Sequence, residues 1–408
     1  MSNNATGITM RSIFSHFSTN NWLEITCHPD SEDKIINGVK FYSLPKKYYP
    51  LHWLLRFSFF KKMNKESKMK CIQENIRKGE NNLSHIIRKL IISYSDSFFL
   101  LPPIKLLKIV KEFDPDYIYT LGASNLVMKL ALYFSKKTNK SIIMHFMDNW
   151  VETLYADNIL LKPCRLIMKR LLKKVYEKMD QGLTISEYMA EEYTKKWKIK
   201  HIPLMNTVSR IMKNPSVAIK QKVFNITYAG GLHLDRWRSL MQVKDVLSEL
   251  NKKNEDDRQI HLHIYTSKNN REVYSEMLRS DFCFFHDSVK HEHIFEIYSK
   301  TDALIHIESF DQKHVKFTKY SLSTKIAEYL ASGKPLIIFA PPSIACSKYI
   351  TKYHSGLACS NKTDLEHKIY KVISDQRYRS EIAENALLCA ERNHSVKYLM
   401  ETIHSIFK

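Results

Sequence analysis

Residues 320–342 read YSLSTKIAEYLASGKPLIIFAPP. The stretch opens polar, carries Lys325 and Glu328 in the first turns of a helical pattern, stops at Gly333 and runs into an apolar strand. Ser321 or Ser323 is suited to cap the helix. Gly333 is suited to the position just past its end, and Pro335 follows as a helix stop. A lysine beside a helix N-terminus is electrostatically awkward, because the amide dipoles already concentrate positive charge there. The conflict disappears if an anion sits at that end. Glu328, about one turn on, can accept hydrogen bonds from two neighbouring hydroxyls. The stretch therefore reads as a helix–strand unit of an α/β fold that receives a phosphorylated, hydroxyl-bearing ligand. An ordinary amphipathic helix with solvated Lys and Glu is the competing reading.

Working outward, strands are expected at 224–229, 260–266, 282–285, 303–307, 335–339 and 356–359. Helices are expected at 238–250, 270–278, 292–299, 322–331, 344–353 and 364–374. This alternation predicts a parallel-sheet α/β domain. Upstream, strands at 22–28, 39–44, 117–122, 141–147 and 182–186 alternate with helices at 10–17, 82–92, 104–111, 125–135, 163–178 and 187–197, a second domain of the same class. The turn-forming, aperiodic stretch 202–222 predicts the junction, giving domains 1–205 and 206–390, with the helix in 391–408 packing back on the first domain. Two such domains predict an interdomain cleft, with ligands at the carboxyl ends of the strands. The opening MSNNATGITM reads as the loop after a first strand, so either that strand is missing from the sequence, the favoured expectation, or the sheet is built differently.

The 408 residues are 44% hydrophobic and 26% charged, enough for two cores. With 63 Lys+Arg against 42 Asp+Glu the formal charge is +21, which favours anionic partners or reflects biased composition. The seven cysteines are widely spaced with no C-x-x-C pair, which argues against a zinc site or disulfide framework and for a reducing, cytoplasmic setting. No apolar run reaches the roughly 18–20 residues that span a bilayer. LHWLLRFSFF at 51–60, followed by the basic run 61–70, is a candidate face for an anionic membrane surface, at the inner side of the cytoplasmic membrane. A helix packed on the body explains it as well.

Several further residues stand where chemistry would be expected. ITYAGGLHLDRWRSL at 226–240 runs a strand into Gly230–Gly231, which lets backbone approach a diphosphate, and then offers Arg236, with Arg238 as its rival. Lys268 ends the next strand. SIIMHFMDNW at 141–150 places His145, Asp148 and Trp150 after a strand. His145 is suited to a sugar hydroxyl or to proton movement, or to a buried structural role; Trp150 is suited to stack on a sugar ring or to fill space. Glu308 and Ser309 in HIESF, Ser321, and Gly7 in the polar loop 3–9 are candidate sugar or acceptor contacts. A metal site is not expected.

ITYAGGLHLDRWRSL, EIYSKTDALIHI and STKIAEYLASGKPLI, in that order and spacing over 225–358, resemble bacterial glycosyltransferases of the GT-B class, particularly the retaining sucrose-synthase-like group. The resemblance implies two facing Rossmann-like domains, the second binding a nucleotide diphosphate sugar. It implies Gly230, Gly231 and Arg236 near the diphosphate, Lys268 as a second phosphate contact, Glu328 on the ribose and His145 as a cleft histidine near the donor sugar. The residues themselves add Ser323, Thr324 and Lys325 at the diphosphate, from the helix N-terminus, and Asp148, suited to orient His145 or bind an acceptor, as the second catalytic candidate. Many relatives carry a glutamate at the position of Tyr320 as well as at Glu328, so the sugar contacts of that first glutamate must come from elsewhere.

The expected reaction is retaining transfer of a hexose-like sugar to a glycan or lipid-linked acceptor in envelope polysaccharide synthesis, such as capsule or O-antigen, without cofactor or metal. The rivals are a GT-B epimerase or inverting transferase, and a noncatalytic nucleotide-sugar or envelope-interaction protein. No nucleic-acid module is recognisable, so nucleic acid is not an expected partner.

Overall fold

The structure is a computed structural model, and it describes residues 5–16, 21–27, 39–44, 83–98, 104–214, 222–253 and 258–407. The candidate membrane face at 51–70 lies outside the described residues. The chain forms two compact units, Met1–Ile185 with Met189–Pro203, and Ser186–Tyr188 with Leu204–Lys408. Both are built on parallel strands flanked by helices.

In the first unit, β1 (Leu23–Thr26) and β2 (Lys40–Ser43) pair in parallel, and β3 (Tyr117–Thr120), β4 (Ser141–Phe146), β5 (Gly182–Thr184) and β6 (His201–Pro203) form a four-stranded parallel sheet in that order. Leu44, Leu106, Val110, Leu126, Leu130 and Phe134 make a buried cluster against which Leu23, Ile25 and Tyr42 pack. Helix Asn125–Thr138 starts at Ser124, whose side chain accepts from the Val127 amide, and ends at Asn139 in the left-handed conformation, φ 55°. Two expectations are corrected. The segment 3–9 is not simply a polar loop: a helix spans Ala5–Phe14 and contains Gly7, and Thr9 on it is buried. The stretch 202–222 is not strand-free, because β6 occupies His201–Pro203.

The second unit holds β7 (Val223–Ala229), β8 (Gln259–Thr266), β9 (Cys283–Asp287), β10 (Ala303–Ile307), β11 (Leu336–Phe339) and β12 (Leu357–Cys359). Their spatial order is β12-β11-β10-β7-β8-β9, all parallel. This is the doubly wound Rossmann order, in which strand order reverses between the first strand and the fourth. β10 and β11 are buried on both faces and read as continuous apolar runs, as parallel strands covered by helices do. β8 instead alternates, with Ile260, Leu262 and Ile264 buried and His261, His263 and Tyr265 half-buried. A helix at Gln312–Thr318 was not expected from the sequence; Asp311 caps it by accepting from the Lys313 amide.

The quoted stretch folds as read. Helix Thr324–Ala331 ends with Gly333 at φ 64°, a conformation that glycine adopts at no steric cost, and β11 follows. Ser323 occupies the N-cap position, but its side chain makes no capping hydrogen bond.

Candidate functional site

The order reversal of the second sheet falls between β7 and β10, so their carboxyl ends flank the crevice where open α/β sheets take ligands. The chain leaves β7 through Gly230–Gly231 and leaves β10 through Glu308–Ser309. Gly230 donates its amide to the Tyr265 carbonyl at 2.9 Å, and the Tyr228 hydroxyl donates to the Gly231 carbonyl at 2.7 Å. A Cβ at Gly230 would lie 2.6 Å from the Tyr228 oxygen, and one at Gly231 2.6 Å from His233 Nδ1. A side chain at either position would have to displace Tyr228 or His233, and the glycines leave this turn presenting backbone alone.

Arg236 opens helix Arg236–Lys253. Its guanidinium forms a two-pronged pair with Glu308: Nε donates to Oε2 at 2.9 Å and Nη2 to Oε1 at 2.7 Å. Nη1 lies 3.2 Å from His233 Nε2. Glu308 also receives His306 Nε2 at 3.1 Å, and its backbone carbonyl accepts from Ser239 Oγ at 2.8 Å. The Glu308 side chain is 5% exposed and that of Arg236 15%, so this is a buried, charge-assisted pair. Burial pushes the Glu308 carboxyl up, but the Arg236 charge and the hydrogen bonds from His306 and Arg236 outweigh it and hold the group at about 2. Burial opposes the Arg236 charge in turn, and Glu308 raises it above its ordinary value. Glu308 thus orients the arginine; the sequence gives no sign of this.

Lys325 is in the first turn of helix Thr324–Ala331 and feels Arg236, Glu308 and Glu328. Burial lowers its pKa, while Glu328 works the other way. His233 is lowered by burial and then by the Arg236 charge. Glu328 is buried, and its Oε2 accepts from the Tyr298 hydroxyl at 3.3 Å. On the next residue, the Tyr329 hydroxyl bridges the amide and carbonyl of Ala229 at 3.1 Å each, tying this helix to the end of β7. The structure therefore brings Gly230, Gly231, Arg236, Glu308, Lys325 and Glu328 to one end of one sheet. Two cations in a partly desolvated crevice beside a glycine turn can bind a diphosphate, and a carboxylate one turn away can take hydroxyls.

The remaining second-unit candidates are more peripheral. Lys268 is exposed at the start of helix Lys268–Tyr274, whose Asn270 side chain lies near Gly231. Ser309 is buried and accepts the Asp311 amide at 3.1 Å, so it shapes the β10 loop. Ser321 donates to the Phe317 carbonyl at 3.5 Å. Tyr320 packs on Tyr188, ring centres 5.3 Å apart, and its carbonyl accepts from Ser186 Oγ at 2.6 Å.

In the first unit His145 is fully buried on β4, its Nδ1 2.6 Å from the Tyr119 hydroxyl. Asp148 accepts the Trp150 amide at 2.9 Å. Burial raises the Asp148 carboxyl, against that hydrogen bond. Trp150 is 4% exposed and stacks on Phe146 with ring centres 5.6 Å apart.

One group among the described residues has metal-ligand spacing: ligand atoms of Asp235, Asp311 and His314 lie within 4.8 Å of one another. Asp235 already faces Arg238 at 3.5 Å, and Asp311 caps its helix. No helix among the described residues is long and apolar enough to cross a membrane.

Residues 245–405 match the family described as glucosyltransferase 3-like, C-terminal domain. No curated protein matches the chain by sequence. Among solved structures, the apo form of the lipopolysaccharide outer core galactosyltransferase WaaB is similar with TM-score 0.57 and 15% identity, covering 99% of this chain and 94% of that one. HepE of Anabaena, crystallised with UDP and glucose, has TM-score 0.53 and 13% identity, covering 74% and 81%. Sucrose-phosphate synthase of Thermosynechococcus elongatus has TM-score 0.51 and 13% identity, covering 76% and 79%. At these identities the likeness shows the fold, two parallel-sheet α/β units of the GT-B type.

Proposed function

We propose that this chain is a glycosyltransferase that moves a hexose-like sugar from a nucleotide diphosphate sugar to an acceptor hydroxyl. The observation that carries the reading is the convergence of Gly230–Gly231, Arg236, Lys325 and Glu328 at the order reversal of the second sheet. One solved neighbour named as a galactosyltransferase and another crystallised with UDP and glucose support it by fold.

The donor diphosphate lies against the Gly230–Gly231 backbone, with Lys325 and the Nη1 edge of Arg236 as its cations. Lys268, Ser323 and Thr324 supply further contacts, and Glu328 takes the ribose hydroxyls. As the bond from the anomeric carbon to the phosphate oxygen breaks, negative charge develops on the diphosphate, and the fixed cations stabilise it. The bond to the acceptor oxygen forms on the same face, and the acceptor proton passes to the departing phosphate. This retaining course needs no protein nucleophile and no metal. His145 and Asp148 are the first unit's catalytic candidates. Ser309, Ser321 and Gly7 remain candidate sugar or acceptor contacts. Glu308 acts differently from the sequence expectation: it is the positioning residue for Arg236. A lipid-linked acceptor of envelope polysaccharide at the inner membrane face suits the +21 charge.

One observation favours the noncatalytic reading: Tyr320 stands where a glutamate is common, and it is engaged with Tyr188 and Ser186. The two readings separate on turnover. Incubating the protein with a panel of nucleotide sugars and lipid-linked or oligosaccharide acceptors should give a glycosylated product and free nucleoside diphosphate. Tight donor binding with no turnover on any acceptor contradicts the enzyme.

A further inference from the structure

The 3-10 turn Ile159–Leu161 leads directly into helix Lys162–Tyr176 of the first unit. Cys164, Met168, Leu172 and Val175 form the helix's buried stripe. The opposite face carries Lys162, Leu166, Lys169, Arg170, Lys173 and Lys174, all exposed. The helix holds six basic residues and no acidic one; Glu177 follows at its C-cap. A merely solvated helix face mixes charge signs along its length. This one does not.

Its apolar residues are the second observation. Ile159 is 84% exposed, Leu160 55% and Leu166 49%. They are displayed by a well-anchored backbone. Asn158 accepts the Leu160 amide at 2.9 Å, Tyr94 donates to the Leu160 carbonyl at 2.8 Å, and Leu161 is fully buried beneath. The nearby acids are occupied: Asp157 pairs with Lys89, and Glu152 with Lys196. Among the described residues no ion pair neutralises Lys162, Arg170, Lys173 or Lys174.

We infer that this turn and helix form a docking face for an anionic phospholipid bilayer. The helix lies along the surface, its ammonium and guanidinium groups at lipid phosphates, while Ile159, Leu160 and Leu166 enter the acyl boundary. Long basic side chains suit this placement, since their stems rest on apolar surface while the charge stays at the headgroups. Nucleic acid would use the charges but leave three aliphatic side chains without a partner; stacking there calls for aromatic residues. The inference deepens the lipid-linked-acceptor reading and does not depend on the donor site.

The test is co-sedimentation of the full chain with phosphatidylcholine vesicles with and without phosphatidylglycerol. It compares the parent with a Lys169→Glu/Lys173→Glu variant and an Ile159→Ser/Leu160→Ser variant. Binding should require phosphatidylglycerol. The charge variant should bind at least about tenfold more weakly, since each cation near an anionic surface contributes a several-fold factor. The apolar variant should also lose roughly tenfold. Far-UV circular dichroism and the thermal unfolding midpoint should stay at the parent values in both, which certifies folding whether or not the protein binds a nucleoside diphosphate. Undiminished vesicle binding by either variant overturns the inference, as does parent binding to duplex DNA or RNA, but not vesicles, through the same lysines.

Discussion

Arg236 and Glu308 stand 72 residues apart in sequence and meet across the reversal of the second sheet, joined by bonds of 2.9 and 2.7 Å. One follows β7, the other follows β10, and the pair closes the crevice floor between those strands. A guanidinium held along its Nε/Nη2 edge by one carboxylate keeps its Nη1 side in a fixed orientation, which is what an anion site needs. The cost of desolvating both charges is offset only while both are present.

Removing either partner should therefore be more damaging than removing both. Arg236→Ala or Glu308→Ala should each lose about 3–5 kcal/mol in urea unfolding. Arg236→Met with Glu308→Leu should recover most of that loss yet bind no nucleoside diphosphate. A double variant as unstable as the singles contradicts the pairing.

Lys325→Gln should weaken nucleoside diphosphate binding by roughly tenfold, about 1.4 kcal/mol for one charge-assisted contact, and Lys268→Gln by less, since Lys268 is exposed. Calorimetry of both variants checks the order. Equal loss would move the phosphate toward Lys268.

Glu328→Ala should abolish preference for ribonucleotides over their 2′,3′-dideoxy counterparts, because the carboxylate is the acceptor for those hydroxyls. The parent's discrimination ratio, compared with that of the variant, reads this directly. An unchanged ratio would leave Glu328 as a partner of Tyr298 only.

Stability should fall on acidification in two stages. Burial lowers both His263 and His394 to about 4, the former also through its neighbours His286 and His261. The unfolded chain takes up these protons first, near 6.5, so stability declines as pH falls from about 6.5 to 4. Glu308, held at about 2, adds stability that is complete above its ordinary value of 4.5 and is lost as pH falls from there toward 2. Unfolding free energies of His394→Gln and the parent across this range should differ in slope by up to about one proton in the first stage. Parallel curves contradict the assignment.

Much of the second unit was legible because β10 and β11 are unbroken apolar runs, β8 alternates, and caps and glycines punctuate them, as at Gly333. The three-residue β6 carries too little pattern to be seen, and helix Gln312–Thr318 hides in a polar, basic stretch that resembles a loop. Residue types of the site were legible from local chemistry, such as Lys325 beside a helix N-terminus. Their partners were not. Nothing local links Glu308 to Arg236, and the burial of Trp150 does not show in its sequence neighbours. Long-range pairing is a property of strand order, and strand order does not show in periodicity.

The proposed function stands on a nucleotide diphosphate sugar held at the end of the second sheet near Arg236, Lys325 and Glu328. Calorimetric titration of the full chain with a panel of nucleotide sugars, alongside Lys325→Gln and Glu328→Ala, tests it most directly. One nucleotide class should bind, and both substitutions should weaken its binding. A folded protein that binds none of them, or binds one equally well in all three forms, contradicts it.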